Sequence, residues 1–419
     1  MADRKNEKMD VTVKSQQTEL GLSILLREKS DWIRGKSIGL ITNHTGVDAT
    51  LRSNYRLFAE APACQLSAIF SPEHGLWGAV QDGIAISSRG EVTLKKHPSK
   101  NPLRVENPIS VPVFSLYGQS MRPTANQLEG IDLLVYDMQD VGARYYTYIS
   151  TLLHAMEAAS DCGIEFIVAD RPNPITCAAV EGPVLASGSE SFVGIHTVPI
   201  RYGLTIGELA VLLKAERVPS CQLKVAWMRE YKRGMWYDET GLPWVPPSPN
   251  MPTLTTATLY PGLCLFEGTN MSEGRGTTTP FEYIGAPWCD GERWAELLNN
   301  CQLLGVRFRP VVFTPACRGE VTSPLHTKHA KQTCGGVAIH ITDRAQFRPI
   351  ETALQMLSIL ITEYRDEFEF LPTHFDRLAG NTWLRDALSN GTSVYTIQAR
   401  WVEELQTWQD NTTQYHAYA

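Results

Sequence analysis

The sequence predicts an α/β fold: a doubly wound, mainly parallel sheet in the N-terminal half, followed by a smaller mixed α+β part. Three observations carry that reading. Short apolar runs recur between residues 36 and 170, each closing in a polar or glycine-rich turn. Most runs are near-continuous in apolar residues rather than alternating, as expected of strands covered on both faces. A helical pattern sits between the last two runs, which makes a β-α-β unit and a parallel strand pair.

In chain order, residues 1–18 read as a mobile tail, charged and without the apolar core of a signal peptide. On that reading the chain is cytoplasmic, unless an N-terminal segment was trimmed. Five strands follow: "KSIGLITN" (36–43), "QLSAIFS" (65–71), "VPVFSLYG" (111–118), "IDLLVYD" (131–137) and "IEFIVAD" (164–170). In "YTYISTLLHAMEAASDCG", Ile149, Leu152, Leu153 and Met156 fall at helical spacing, and Gly163 stops the helix before the next strand. Another helix opens at "LTIGELAVLLKAE", where Thr205 and Glu208 fit a capping box. The proline-dense "WVPPSPNMPTL" (244–254) suits neither helix nor central strand. It reads as an extended crossing between a catalytic domain, 19–245, and a C-terminal α+β domain, 246–419, that closes a cleft. Beyond it, "VRFRPVVF" and "GGVAIHIT" read as strands, and Leu354, Leu357, Ile361 and Tyr364 as one helical face. Segments 80–105 and 255–290 have weak periodicity and many glycines, and read as long functional or disordered loops.

Composition narrows the function classes. The 419 residues, 43% hydrophobic and 20% charged, supply two or three ordinary domains. A formal net charge of −7 argues against a nucleic-acid binder, and no apolar run is long enough to cross a bilayer. Neither nucleic acid nor membrane is therefore an expected partner. The nine cysteines are scattered and form no Cys-x-x-Cys pair, so they read as reduced thiols rather than disulfides or a zinc site.

In open α/β sheets, ligands bind beyond the carboxyl ends of the strands. The first run delivers Asn43 and His44, and the second Glu73 and His74. The third delivers Tyr117 and Gly118; the fourth Asp137, Gln139, Asp140 and, one turn on, Arg144; the fifth Asp170, Arg171 and Asn173. Five successive strands thus end in polar, mostly ionisable groups, which marks this edge as a candidate site. Plainer roles also fit: Glu73 as a first-turn helix acid, Asp137 and Asp170 as helix caps, His74 as a hydrogen-bonded structural histidine. Arg144 is followed by Tyr145 and Tyr146, and rings beside a guanidinium suit sugars and anions.

A second dense stretch, "LFEGTNMSEGRGTTTPFEYIGAPW" (265–288), holds three glutamates, one arginine and several glycines. No phosphate loop, dinucleotide fingerprint or Gly-x-Ser-x-Gly elbow is present. Two carboxyl groups facing a cleft are the minimum for glycoside hydrolysis, one to protonate the leaving oxygen and one to activate water or attack. The candidates are Glu73, Asp137, Asp170, Glu181, Glu267, Glu273 and Glu282. Glu73 ranks first, at a strand end beside apolar Phe70, Leu76 and Trp77, a setting that suits a proton donor.

Ten motifs occur in order: "ITNHTG", "FSPEHG", "YDMQDVGARYYTY", "DRPNP", "EGP", "RYGLTIGELA", "PPSPNMPT", "YPG", "LFEGTNMSEGRGTTTPFEYIGAPW" and "CGGVAIHITDR". Over residues 21–401 they resemble the exo-β-N-acetylmuramidases of bacterial peptidoglycan turnover, a glycoside hydrolase family once known only as a domain of unknown function. The resemblance implies a Rossmann-like N-terminal domain, a smaller C-terminal domain and a cleft between them. It implies release of N-acetylmuramic acid from the non-reducing ends of muramyl disaccharides and glycan fragments, with no metal or organic cofactor. It makes Glu73 of "SPEHG" the catalytic acid and lets the loop 267–277 line the sugar pocket. Secreted family members carry a signal that this N-terminus does not show, so recycling of imported muropeptide sugars is the expected role.

On this reading Glu73 donates the proton, and His74 and Asn43 orient it or the substrate. Asp137 or Glu273 assists as base, nucleophile or stabiliser of positive charge, or the 2-acetamido group attacks internally. Tyr117, Gln139, Asp140, Tyr145, Asp170, Glu267 and Asn270 join Asn43 as expected substrate-binding residues. The lactyl carboxylate of the sugar calls for a guanidinium fork from Arg144, Arg171, Arg201 or Arg275, the first and last preferred. Tyr145, Tyr146, Trp77 and Trp288 are candidates to stack on the pyranose. Two other readings stand beside this one: a metal-dependent hydrolase using His44, His74, Asp137, Asp140 and Asp170, and a binding protein for an acidic sugar.

Overall fold

Each of the five apolar runs becomes a strand of one sheet in the computed structural model, which describes residues 17–80, 89–94, 109–316 and 327–419. In chain order the strands are β1 (Ser37–Ile41), β2 (Gln65–Ser71), β3 (Arg89–Leu94), β4 (Ile109–Ser115), β5 (Leu133–Tyr136), β6 (Glu165–Ala169), β7 (Glu181–Val184), β8 (Pro199–Arg201), β9 (Leu223–Ala226), β10 (Tyr283–Ala286), β11 (Val306–Phe313) and β12 (Cys334–Ile341). The main sheet has the order β3-β4-β2-β1-β5-β6-β9. All its neighbours are parallel except β3 and β4. The chain winds outward from β1 in both directions, the doubly wound arrangement the sequence predicts.

The near-continuous apolar runs are explained by two cores, one on each face. Ile38, Leu40, Leu133, Val135, Ile167 and Ala169 enter one core with Leu22, Leu25 and Phe58 from helices Gly21–Arg27 and Asn54–Glu60. The alternate residues Ile41, Leu134, Tyr136, Phe166 and Val168 enter the other, with Ile149, Leu152, Leu153 and Met156 of helix Tyr148–Asp161. No position of β1, β5 or β6 is exposed, so no polar alternation is needed there. Each fully buried Leu or Ile contributes roughly 2 kcal/mol of transfer free energy. Gly163, at φ 67°, ends the helix before β6, and the Thr205–Glu208 capping box opens helix Ile206–Glu216.

The C-terminal part carries a three-stranded antiparallel sheet, β10-β12-β11, covered by helix Gly291–Asn300, against which helix Pro349–Glu363 packs in turn. Trp294, Leu298, Leu354 and Leu357 of these helices join the same core as Tyr136 and Phe166, so one apolar core runs through both halves of the chain. Residues 244–253 form no helix or strand, as their prolines require.

Two expectations are corrected. The stretch 255–290 is not a loop: it holds helix Leu254–Leu263, a 3₁₀ turn over Cys264–Gly268, and β10. Thr256 to Leu263 are all buried, so that helix has no polar face and leaves no amphipathic period to read. In the other stretch β3 forms, while residues 81–88 and 95–108 lie outside the described residues. The expected tail also lies outside them save for Gln17 and Thr18. Thr18 is buried, with its N–H donating to the Thr240 carbonyl at 2.9 Å. Among the described residues no helix is long and apolar enough to cross a membrane, and eight cysteines are free.

Candidate active site

The winding reverses at β1, so the carboxyl ends of β2, β1 and β5 open on one crevice. β2 ends at Ser71, and residues 72–80 form turns rather than a helix. His74 (φ 69°) and Gly75 (φ 76°) are both left-handed, and the Gly75 N–H returns to the Pro72 carbonyl at 3.0 Å. His74 Nδ1 lies 2.8 Å from the Val80 carbonyl and closes the turn. Glu73 is thereby held at the strand end. Gly78 (φ 63°) completes the bend where no side chain fits: a Cβ there would stand 1.9 Å from the His44 ring.

Asn43, His44 and Tyr148 then fix the proline-dense segment against the sheet. His44 Nε2 donates to the Pro246 carbonyl at 2.6 Å, and the Tyr148 hydroxyl donates to the Pro247 carbonyl at 2.8 Å. Asn43 Nδ2 donates to the Tyr148 hydroxyl at 2.6 Å, while its Oδ1 accepts from the Thr45 N–H and hydroxyl. Burial keeps the His44 imidazole below its usual pKa, which suits a neutral ring donating one hydrogen bond.

These anchors shape a cavity of about 330 Å³ with contributions from both halves of the chain. Glu73, His74, Tyr117, Tyr145, Tyr146 and Thr147 come from the sheet side; Ser248, Asn250, Tyr260, Cys264, Glu267, Arg275, Phe281, His374 and Arg377 come from the C-terminal side. Glu73 is 8% exposed, and the Thr147 hydroxyl donates to its Oε2 at 2.7 Å. Glu267 accepts from Arg275 Nη2 at 2.6 Å and from the Cys264 thiol at 3.4 Å, with His374 Nε2 at 3.7 Å. Tyr145, Tyr146, Tyr260 and Phe281 meet edge-to-face at centroid distances of 5.0 to 5.9 Å and form an aromatic wall. Burial holds the tyrosine hydroxyls well above their ordinary pKa, so they stay neutral.

Of the residues expected at the site, Glu73, His74, Tyr117, Tyr145, Tyr146, Glu267 and Arg275 line this cavity. Asn43 supports it from behind. The structure places the others elsewhere. Asp137 is fully buried, its carboxylate taking Arg171 Nε at 2.6 Å and Asn54 Nδ2 at 2.7 Å. Gln139 donates to the Asp140 and Pro172 carbonyls. Asp140 accepts from Tyr202 and the Gly142 N–H, and burial raises its pKa to about 6. Asp170 takes the Thr205 hydroxyl and the Gly207 N–H at the start of helix Ile206–Glu216, with burial raising it to about 7. Glu273 sits behind Arg275, paired with Arg275 Nε at 3.1 Å and Lys328 at 2.9 Å. Asn270 ties down the Glu367–Glu369 backbone.

Arg144 departs furthest from its expected role. Its guanidinium is fully buried and donates to four carbonyls, those of Pro183, Val198, Leu378 and Ala379, each at 2.9 Å. Fully buried and absent from the cavity lining, it is not placed to meet an anion there. Arg201 is likewise buried, donating to the Ile175 carbonyl. Trp77 is 60% exposed against Tyr55, and Trp288 packs on Tyr364; neither lines the cavity. The five donors weighed for a metal do not converge, and among the described residues no three His, Cys, Asp or Glu side chains group as ligands.

The residues that sequence reasoning missed are Thr147, Ser248, Asn250, Tyr260, His374 and Arg377. Ser248 and Asn250 lie inside the quoted "PPSPNMPT", where the prolines read only as a linker. His374 and Arg377 are one turn apart on helix Pro372–Ala379, whose buried face is Phe375, Leu378 and Ala379. That spacing was a readable signal.

Comparisons with known proteins place the chain in a family. Residues 38–255 match the family model of the N-terminal domain of the exo-β-N-acetylmuramidase NamZ, and residues 258–418 that of its C-terminal domain. The chain is 42% identical to the peptidoglycan β-N-acetylmuramidase NamZ of Bacillus subtilis (strain 168), over 99% of this chain and 94% of the relative. Two crystal structures of DUF1343 family proteins from Bacteroides fragilis NCTC 9343 are also similar. One has a TM-score of 0.83 at 34% identity, the other 0.69 at 28%; each comparison covers 96% of this chain and 99% of the other.

Proposed function

This chain belongs to the exo-β-N-acetylmuramidase family, and on that premise we propose that it hydrolyses terminal N-acetylmuramic acid from muramyl disaccharides and peptidoglycan fragments, with Glu73 as proton donor and Glu267 as the second carboxyl group. One observation carries the assignment of roles: among the described residues, Glu73 and Glu267 are the carboxyl groups that line the cavity. Asp137 and Glu273, the partners favoured from sequence, are each already engaged by buried cations.

In this mechanism Glu73 gives its proton to the glycosidic oxygen as the bond to the anomeric carbon breaks. Thr147 fixes the orientation of the acid through Oε2. Glu267, its charge held in place by Arg275, stabilises the positive charge that develops at the anomeric carbon. Water adds at that carbon, directly or after the 2-acetamido oxygen, and gives a proton back to Glu73; the products are free N-acetylmuramic acid and the released sugar or shortened glycan. The aromatic wall covers the apolar face of the sugar. The cavity is at the small end of ligand-pocket volumes, which fits a terminal sugar better than an internal stretch of glycan. The division into a catalytic part, 19–245, and a closing part, 246–419, belongs to the same proposal.

The test is release of free sugars from N-acetylmuramic acid β-linked to N-acetylglucosamine. Glu267→Gln is expected to lower kcat about 100-fold, as for loss of one electrostatic stabiliser. Turnover of that variant within threefold of the parent would remove Glu267 from the role. Binding of the disaccharide by the parent protein without product over hours would favour the acidic-sugar binding reading instead.

A further inference from the structure

Among the described residues two guanidinium groups reach the cavity, and they differ in how much of their charge is already spent. Arg275 is shared between Glu267 at 2.6 Å and Glu273 at 3.1 Å, and the second oxygen of Glu273 takes Lys328 at 2.9 Å. Among the described residues, Arg275 thus already shares its charge with two carboxylates, which weakens its pull on an incoming anion.

Arg377 is in the opposite state. It is exposed at the cavity, and among the described residues no carboxylate or carbonyl accepts from its guanidinium. Its chain neighbour Asp376 is engaged by Arg385 through two bonds, of 2.9 and 3.1 Å, and does not neutralise it. The helix that carries Arg377 is held firmly. Arg144 grips its last two carbonyls, Leu378 and Ala379, and Gly380 follows at φ 73°. A Cβ on Gly380 would stand 2.6 Å from Arg144 Nη2. The arginine expected from sequence to bind the anion instead positions the helix that presents another one.

We propose that Arg377 binds the lactyl carboxylate of N-acetylmuramic acid and so distinguishes that sugar from neutral hexosamines. The ligand rests on the muramidase reading above; the free cation at the cavity does not. A planar guanidinium can meet a carboxylate through two parallel hydrogen bonds, and an exposed one has little desolvation to overcome before doing so.

The experiment is titration calorimetry on the full chain with two ligands, N-acetylmuramic acid and its lactyl methyl ester, which removes the charge and adds one methyl group. The parent protein is expected to bind the acid about 10- to 100-fold more tightly than the ester, the range for a hydrogen bond to a charged group. In Arg377→Ala that ratio should fall to near one, and Arg377→Lys should keep part of it. Three results would overturn the proposal: a parent ratio near one, an Arg377→Ala ratio equal to the parent's, or no binding of either ligand by the parent. Sugar release is measured separately, so absence of hydrolysis would sink the muramidase reading while the acid-to-ester ratio still decides the role of Arg377.

Discussion

Glu73→Gln should lower kcat on a β-linked muramyl disaccharide by about 10²- to 10⁴-fold, the worth of a positioned general acid. Glutamine is nearly the same size, and its amide oxygen can still accept from the Thr147 hydroxyl, which lies 2.7 Å from Oε2 in the parent protein. Folding and sugar binding should therefore survive, and the loss should fall on turnover. Leaving-group dependence sharpens the test. A nitrophenyl muramide expels a stable phenolate that needs little protonation, so its turnover should fall far less than that of the disaccharide. Steady-state kinetics on both substrates decides the matter. Equal losses on the two would point to a damaged pocket, and near-parental turnover of the disaccharide would remove Glu73 from the chemistry.

Arg144→Leu is expected to be the most destabilising of the substitutions considered. It removes the donor from four carbonyls at once, in a site with no exposed area. Each orphaned buried acceptor costs about 1–3 kcal/mol, and relaxation recovers only part of that, so a loss of roughly 4 kcal/mol or more follows. Burial lowers the pKa of Arg144 to about 10, yet the group stays charged at neutral pH. Arg144→Lys should therefore recover some stability, since an ammonium can still donate to some of these carbonyls. Thermal unfolding monitored by circular dichroism measures this; a melting temperature for Arg144→Leu within about 2 °C of the parent would contradict it.

The strands and the edge that carries Glu73 were legible because their signals are local. A strand buried on both faces is a continuous apolar run, and Glu73 stands where such a run ends. The misreadings share another cause: partners distant in sequence. Arg144 looked like an anion receptor because carbonyl acceptors leave no trace in side-chain identity. Asp137 looked catalytic because Arg171, 34 residues away, was weighed as a sugar ligand rather than as its partner. Helix Leu254–Leu263 vanished into apparent irregularity because burial on every side erased its period. Glu267 was placed at the pocket by its motif, but its promotion over Glu273 required seeing which carboxyl group lies in front of Arg275.

The apolar core that extends from Ile41 to Trp408 has a consequence for how such a protein can be divided or recombined. The junction between the two matched stretches, at residues 255–258, coincides with helix Leu254–Leu263, whose residues from Thr256 onward are all buried. A cut there would bare an oily seam on each fragment and split the carboxyl pair between them. Shuffling fragments among relatives should therefore succeed only when both sides of that seam come from the same parent.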